Sequence, residues 1–171
     1  MAALPLQGKV AIVAGGSREA GAGVARALGT AGATVYVTGR TVRRGPAPHD
    51  GAAGTVDGTA GEVTRRGGRG IPAPCDHTDD AQVEALFQRV QQEQGRLDLL
   101  VNAVWGGNEL PSLQAMFNAG VRPALIASHH AARLMAAQQR DLIVNVTFQY
   151  PDGSPYVGHL LYDLAKAALS R

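Results

Sequence analysis

The stretch from Lys9 to Leu28, KVAIVAGGSREAGAGVARAL, constrains the fold of this chain more than any other. It begins with the apolar run Val10–Val13, which is typical of a strand buried on both faces. The glycine-rich segment Ala14–Gly23 follows, where the backbone can turn sharply and approach a ligand closely. The last part, Gly23–Leu28, has apolar residues at helical spacing and predicts the beginning of a helix.

A strand, a glycine turn and a helix N-terminus together form an anion site. The first amides of a helix lack partners within the helix, and the helix dipole favours negative charge at that end. The usual occupant of such a site is the pyrophosphate of a dinucleotide. Glycine-rich turns are common, so a plain strand-to-helix turn remains an alternative from these residues alone.

The composition limits the class of protein. A chain of 171 residues fits one domain, which we expect to span residues 1–171. The net charge of +2 is too small to indicate a nucleic-acid partner. No apolar run approaches the ~20 residues that cross a bilayer, and the N-terminus lacks the pattern of a signal peptide. The single cysteine, Cys75, excludes a disulfide framework or a cysteine metal cluster, and we expect it to be buried at a strand end. These features predict a cytoplasmic protein without a metal or membrane.

Strand and helix signals alternate along the rest of the chain. Further strands are predicted at Val35–Thr38, Gly70–Pro74, Leu97–Asn102 and Asp141–Thr147. The last two read as buried, whereas the prolines of Gly70–Pro74 favour an edge position. Helices are predicted at Thr55–Arg66, at Asp80–Gln94 with a cap in Thr78–Asp80 and a stop at Gly95, at about Ser112–Gln139 with an interruption near Gly120 and Pro123, and from about Leu161 to Arg171. Thr41–Gly54 and Pro151–Pro155 are predicted loops. The alternation indicates a parallel sheet with helices on both faces.

Five sequence blocks occur in the order and spacing of one protein family. They are AGGSREAGAG at 14–23, TGR at 38–40, CD at 75–76, LVNAV at 100–104 and Tyr162-x-x-x-Lys166. Together they make the chain, from Gly8 to Arg171, resemble the short-chain dehydrogenase/reductase family. Within it, VYVTGR, EQGRLDLLVN and SHHAARLM resemble a DHRS1-like branch. The resemblance implies a three-layer α/β Rossmann fold with strand order 3-2-1-4-5. It also implies that the chain stops within the Tyr-Lys helix and lacks the family's last strands, which would leave apolar surface on the fifth strand uncovered.

The resemblance implies that the glycine-rich segment after the first strand is the family's phosphate-binding turn. Gly15 and Gly21 match glycines of that turn, and Ser17 lies between them. The middle glycine of the pattern is replaced by Glu19, whose carboxylate would repel a pyrophosphate unless it points to solvent.

Two arginines bear on the choice of cofactor. NAD-specific enzymes place Asp or Glu at the end of the second strand, but this chain has Arg40 there. A guanidinium suits the 2′-phosphate of NADP(H). In the family, a basic residue at the place of Arg18 also accompanies NADP(H), so NADP(H) is favoured over NAD(H). The alternative for both arginines is a solvated surface charge.

Three further residues match positions around the cofactor. Asp76 matches an acid near the adenine ring, with a helix cap as the alternative role. Asn102 matches the first residue of a block that shapes the floor under the nicotinamide ribose, although the block continues as Ala103-Val104-Trp105. Trp105 is the only tryptophan. It follows a strand end, where it could line a substrate pocket or pack in the core.

Tyr162 and Lys166 carry the chemistry that the resemblance implies. Side chains four residues apart share a helix face. An ammonium near a phenol favours the phenolate, so the phenol can exchange a proton with a carbonyl or alcohol as a hydride is transferred. Lys166 would also bind the ribose hydroxyls, and both residues count as cofactor-binding. The alternative is an ordinary amphipathic helix.

The family pattern fails at two supporting positions. The catalytic serine aligns with Phe148 or Gln149, so Thr147 is the nearest hydroxyl and the candidate third catalytic residue; it could equally be a buried strand residue. The helical asparagine of the family aligns with Gly120, and Asn118 lies about 200° away on a helix. His129 and His130 point about 100° apart, which favours a packing role.

The sequence therefore predicts an NADP(H)-dependent oxidoreductase that interconverts a small-molecule carbonyl and an alcohol, in a homo-oligomer. The alternative is a dinucleotide-binding module without catalysis, such as a sensor or partner subunit, or a fragment without function.

Overall fold

The computed structural model describes residues 3–45, 53–105, 111–138, 141–148 and 159–170. Gln149, Arg171, the predicted loop Pro151–Pro155 and half of the predicted loop Thr41–Gly54 lie outside these residues. The strands are β1 Val10–Ala14, β2 Thr34–Gly39, β3 Arg69–Pro74, β4 Leu99–Asn102 and β5 Leu142–Asn145. The helices are α1 Glu19–Thr30, α2 Val56–Arg65, α3 Asp80–Gln94, α4 Leu113–Met116, α5 Arg122–Met135 and α6 Leu160–Ala168, and one π-helical turn, Phe117–Val121, joins α4 to α5.

All five strands are parallel and form one sheet in the order β3-β2-β1-β4-β5. The predicted order is therefore confirmed, and β3 lies at an edge as its prolines indicated. β2 and β3 are added in turn on one side of β1. The chain then crosses to the other side of β1, where β4 and β5 follow. Ligands of such sheets bind beyond the carboxyl ends of the strands at this switch point.

The sheet separates two hydrophobic clusters, one on each face. Ile12, Tyr36 and Leu100 point to the face that is covered by α3 and α5. Their neighbours Val13 and Val37 point to the opposite face, where α1 and α2 pack. Because successive strand residues alternate between faces, buried strands need apolar residues at every position. These two helical layers and the sheet make the three-layer architecture.

Local signals set the ends of α3, where the sequence prediction is confirmed. The carboxylate of Asp79 accepts hydrogen bonds from the amides of Ala81 and Gln82 at the N-cap. Gly95 ends the helix in the left-handed conformation, with φ of 67°.

The structure corrects three element predictions. α1 begins at Glu19 rather than at Gly23, and its first turn includes Gly21 in spite of the poor helix propensity of glycine, because the turn lies against the backbone of Gly15. α6 ends at Ala168 instead of continuing to Arg171. β5 is a strand but is not buried, since Leu142 is 57% and Val144 37% exposed. Leu142 and Val144 point to the face of the sheet on which α1 and α2 pack, but no described helix extends over β5 on that face. Among the described residues, no helix has the length and apolar character that a membrane span requires.

Candidate cofactor and catalytic site

The sequence-predicted site residues fall around the carboxyl end of the parallel sheet. The turn from β1 into α1 lies beside the end of β2, and Asn102 is the last residue of β4. The residues after β5 contact α6, which carries Tyr162 and Lys166. One edge of the sheet therefore collects residues that are far apart in sequence.

Two glycines shape the turn after β1. Gly15 has φ of +78°, and a Cβ there would lie 2.6 Å from the carbonyl oxygen of Ala103, just beyond β4. A Cβ at Gly21 would lie 2.1 Å from the carbonyl oxygen of Gly15. Both distances are far below a permitted contact, so only glycine fits either position. These glycines bring the turn, the first turn of α1 and the end of β4 into backbone contact.

The N-terminus of α1 fits an anionic ligand. Its N-cap is Arg18, whose side chain has no acceptor atom and makes no capping bond, whereas Thr55, Asp79 and Ser112 cap α2, α3 and α4 with side-chain oxygens. The amides of the first turn therefore remain for another acceptor. Glu19, in place of the family's glycine, is exposed and has a positive φ of 47°. The residues present fit a dinucleotide pyrophosphate, with the Glu19 carboxylate on the solvent side.

Ser17 lies between this turn and the end of β2. It is 9% exposed, and a Cβ at Gly39 would lie 3.3 Å from its hydroxyl oxygen. Its carbonyl oxygen accepts a hydrogen bond from the Thr59 hydroxyl (3.3 Å), which ties the turn to α2.

Arg40 and Asp76 interact electrostatically across the ends of β2 and β3. Burial acts to raise the pKa of Asp76, but hydrogen bonds from the amide and hydroxyl of Thr78 (2.9 and 2.8 Å) and the positive charge of Arg40 outweigh it, so the pKa is lowered. The alternative of Asp76 as a helix cap is wrong, because the cap of α3 is Asp79. Arg40 itself is exposed immediately after β2.

Asn102 joins three elements below the site. Its amide nitrogen donates to the Ser128 hydroxyl of α5 (3.0 Å) and to the side-chain oxygen of Asn145 in β5 (2.9 Å). Its own side-chain oxygen is buried and has no partner among the described residues. Asn145 in turn donates to the carbonyl oxygen of Leu169 (3.3 Å). This chain of bonds fixes the end of β4 relative to β5 and α6.

His77 was missed by the sequence reasoning, which stopped at the preceding acid. It is 3% exposed, and burial lowers its pKa to about 4 against the opposing charge of Asp76. The Thr38 hydroxyl donates to the carbonyl oxygen of Val13 (3.2 Å) and shares a hydrogen bond of 2.6 Å with Nε2 of His77. Nδ1 is buried without a partner among the described residues. A polar residue directly after a strand was the only available sequence signal.

Tyr162 and Lys166 share one face of α6. The Lys166 ammonium is 5.8 Å from the centre of the Tyr162 ring and donates weakly to the carbonyl oxygen of Val146 at 3.4 Å. Lys166 is only 6% exposed, and burial lowers its pKa to about 8. The alternative of an exposed lysine on an ordinary amphipathic helix is therefore wrong.

Aromatic rings surround this pair. The ring centre of Trp105 is 4.0 Å from the Lys166 ammonium and 4.8 Å from the Tyr162 ring, which it meets edge to face. The Phe148 ring is 6.2 Å from that of Tyr162. Trp105 thus lies in the candidate site. The Thr147 hydroxyl donates to the backbone carbonyl of Lys166 (2.7 Å), so its proton is held by α6.

The other polar candidates lie elsewhere. Asn118 is exposed in the π turn and accepts a hydrogen bond from Gln114 (3.0 Å). His130 is half-buried and stacks on Phe87 of α3 at 5.5 Å, which is the predicted packing role, whereas His129 is exposed and meets His130 edge to face. Cys75 is buried after β3, as predicted. No group of potential metal ligands occurs among the described residues.

A sequence model described as short chain dehydrogenase matches residues 9–171. The chain belongs to this short-chain dehydrogenase family. It is 36% identical over 182 residues to dehydrogenase/reductase SDR family member 1 of Mus musculus, covering 98% of this chain and 54% of the relative. The Homo sapiens protein of the same name is 34% identical and is covered to 55%. The chain thus spans about half the length of these curated relatives.

Solved structures agree with the family and the fold. A metagenomic short-chain oxidoreductase in complex with NADP superposes with a TM-score of 0.79 at 26% identity, covering 97% of this chain and 73% of that one. The resemblance to a DHRS1-like branch is confirmed by the mouse and human relatives. This short-chain dehydrogenase chain has the family's NAD(P)-binding Rossmann fold.

Proposed function

We propose that the protein is an NADP(H)-dependent oxidoreductase that interconverts a small-molecule carbonyl and an alcohol. The observation that carries the proposal is the pair Tyr162 and Lys166, held on one face of α6 with the lysine buried at the carboxyl end of the sheet. Burial lowers the lysine pKa to about 8. The ammonium is then still largely charged at pH 7, and a cation on the same helix face favours the phenolate of Tyr162.

The roles of this chain's residues follow from that pair. When bound, NADP(H) supplies or accepts the hydride. In reduction, the phenol of Tyr162 donates its proton to the substrate oxygen, and in oxidation the phenolate takes that proton back. Lys166 lowers the cost of the phenolate and donates hydrogen bonds to the ribose hydroxyls. The turn from Gly15 to Gly21 holds the pyrophosphate, with Ser17 between them, while Asn102 fixes the floor of the site.

If Tyr162 transfers the proton, removing its hydroxyl should reduce turnover, whereas a residue that only binds the cofactor would change NADPH affinity. Tyr162→Phe should reduce turnover by a factor of ~10²–10⁴, since proton transfer contributes about that much, while NADPH affinity changes little. The assay is NADPH oxidation with a panel of aldehydes and ketones. Unchanged turnover in Tyr162→Phe would exclude the role. Lys166→Met should lose turnover too, and should also weaken NADPH binding.

Preference for NADP(H) is supported by charge at the end of β2. Arg40 is exposed there, and it is close enough to Asp76 for its charge to lower the pKa of that acid. Asp76 would lie beside the adenine, and Arg18 at the N-cap of α1 would add a second positive charge. NADPH should bind more tightly than NADH, and Arg40→Ala should remove most of the difference. Arg44→Ala, also exposed in the following loop, is the control. Equal affinities in the wild type would contradict the preference.

A homo-oligomer is supported by apolar surface on the helices near the site. Leu125 of α5 is 55% exposed, and Leu160 and Leu164 of α6 are 68% and 49% exposed. Burying leucines of this kind between copies would stabilise a dimer. Sedimentation analysis of the wild type and of Leu160→Glu tests this, and a wild-type monomer at all concentrations would refute it. A cytoplasmic location stays a prediction.

A second candidate function is dinucleotide binding without catalysis. It is favoured by the Thr147 proton, which is held by the Lys166 carbonyl, and by the family's serine aligning with Phe148 or Gln149, neither of which carries a hydroxyl. Thr147 as a third catalytic residue therefore stays a prediction. NADPH binding without turnover on the carbonyl panel would support this second function.

A further inference from the structure

The indole of Trp105 and the glycine at position 120 occupy one space. A Cβ at Gly120 would lie 2.6 Å from Cζ3 of Trp105 and 3.2 Å from Cη2. Any side chain at position 120 would therefore displace the ring. Gly120 belongs to the π turn Phe117–Val121, where the helix is locally widened. The widened π turn and the absence of a side chain at Gly120 together leave the space that the indole occupies.

A second neighbour of the indole is the Lys166 ammonium, which lies over the ring at 4.0 Å from its centre. Lys166 is 6% exposed, so water contributes little to stabilising its charge. The carbonyl oxygen of Val146 lies at 3.4 Å, which is a long hydrogen bond. A cation over an indole face is stabilised most when it is desolvated, as it is here. The edge-to-face contact at 4.8 Å joins the same ring to Tyr162.

We propose that Trp105 is a positioning residue, whose indole face holds the Lys166 ammonium beside Tyr162. The indole itself occupies the space that a side chain at position 120 would fill. The proposal deepens the proposed function and rests on it for its catalytic meaning. Trp105 acts through Lys166 and needs no contact with the substrate. It is consistent with Gly120 at the position where the family pattern has an asparagine, since an asparagine there would displace this indole.

The proposal gives the indole a measurable effect on the lysine. Removing a desolvated cation–π contact should lower the pKa of Lys166 by about one unit. The phenolate of Tyr162 would then be less favoured, and the apparent pKa of the base in the pH profile of turnover should rise. Loss of packing alone would lower stability or NADPH affinity. It would not lower the pKa of Lys166 and raise the apparent pKa of the base together.

Among the described residues, the groups that face Lys166 come from three elements. The phenol of Tyr162 faces it from α6, a backbone carbonyl faces it after β5, and the indole faces it from the end of β4. His159, the N-cap residue of α6, and Asp163 in its first turn are the other titratable groups of this element. His159→Gln and Asp163→Asn are therefore included as controls, and neither should abolish the Lys166 titration.

The experiment uses the two lysines of the sequence, Lys9 and Lys166. Protein labelled with ¹³C at the lysine Cε gives two NMR signals, which are followed from pH 6 to 10.5 without cofactor. Lys9 pairs with Asp98 at 2.8 Å across β1 and β4, so its unchanged signal shows that a variant is folded. Trp105→Leu should lower the Lys166 midpoint by about one unit, and Trp105→Phe, which keeps a weaker aromatic face, by less.

Gly120→Ala is the decisive variant because it keeps the tryptophan and only displaces it. It should reproduce the Lys166 shift of Trp105→Leu. Unchanged Lys166 midpoints in folded Trp105→Leu and Gly120→Ala would overturn the proposal. Full activity of Tyr162→Phe would instead overturn the proposed function, and the lysine titration would still be interpretable.

Discussion

The two glycines at positions 21 and 23 allow the same substitution to be compared on one helix turn. Both belong to α1. A Cβ at position 21 would lie 2.1 Å from the carbonyl oxygen of Gly15, whereas a Cβ at position 23 would meet nothing within 4 Å. Gly15 cannot move away, because it is itself pressed against the Ala103 carbonyl. Gly21→Ala must therefore shift backbone, and Gly23→Ala need not.

The two substitutions should change the free energy of unfolding in opposite directions. Overpacking against fixed backbone costs about 3 kcal/mol, and replacing a helical glycine by alanine returns about 1 kcal/mol. Gly21→Ala should thus lose about 2 kcal/mol of unfolding free energy, while Gly23→Ala gains about 1 kcal/mol. The difference of about 3 kcal/mol corresponds to roughly 9 °C in melting temperature for a chain of this size.

Urea unfolding gives the free energies, and thermal unfolding gives the melting temperatures. An NADPH titration adds the functional readout, since the displaced turn in Gly21→Ala should also weaken cofactor binding while Gly23→Ala leaves it intact. The reasoning is refuted if Gly21→Ala is as stable as Gly23→Ala. It is also refuted if the two variants bind NADPH equally well.

Three other residues give separate predictions. Glu19→Gly should be about 1 kcal/mol more stable in urea than Glu19→Gln, because the positive φ of 47° strains any side chain; equal stability would contradict this. Both variants should bind NADPH more tightly than the wild type, since each removes a negative charge beside the pyrophosphate. Burial lowers the pKa of His77 to about 4, so the unfolded chain takes up its proton first as the pH falls below about 6.5. The wild type should lose about 2 kcal/mol more than His77→Leu between pH 7 and pH 5, and parallel pH curves would be evidence against it. Burial raises the pKa of Cys75 to about 12, so iodoacetamide at pH 8 should modify it only after urea is added, and rapid labelling of the native protein would contradict its burial.

Features with a local cause were predictable from the sequence. The alternation of apolar runs with helical patterns was sufficient for the parallel sheet, and Asp79 and Gly95 marked the ends of α3 because capping depends on neighbouring residues only. The interruption near Gly120 appeared as the π turn. The spacing of Tyr162 and Lys166 was sufficient to place both on one helix face.

Features with a long-range cause were not predictable in this way. Burial of β5 depends on what packs over it, so its apolar sequence alone predicted a buried strand, whereas the family resemblance already implied that apolar surface such as Leu142 would be uncovered. The place of Trp105 depends on Gly120 and Lys166, which lie 15 and 61 positions later in the sequence. The partner of the Thr147 hydroxyl is a backbone carbonyl, which carries no sequence signal at all.

The outer edge of β5 bears on how copies of this chain would associate. β5 pairs with β4 on one side, and among the described residues no strand lies on the other; an unpaired strand edge is in general a surface to which another chain can add a strand. The leucines of α5 and α6 are a different surface. A molecule with one self-complementary surface closes as a pair, whereas one with two such surfaces can keep adding copies without limit. Light scattering that keeps rising with concentration, instead of reaching the value of a dimer, would be the sign of such open-ended growth.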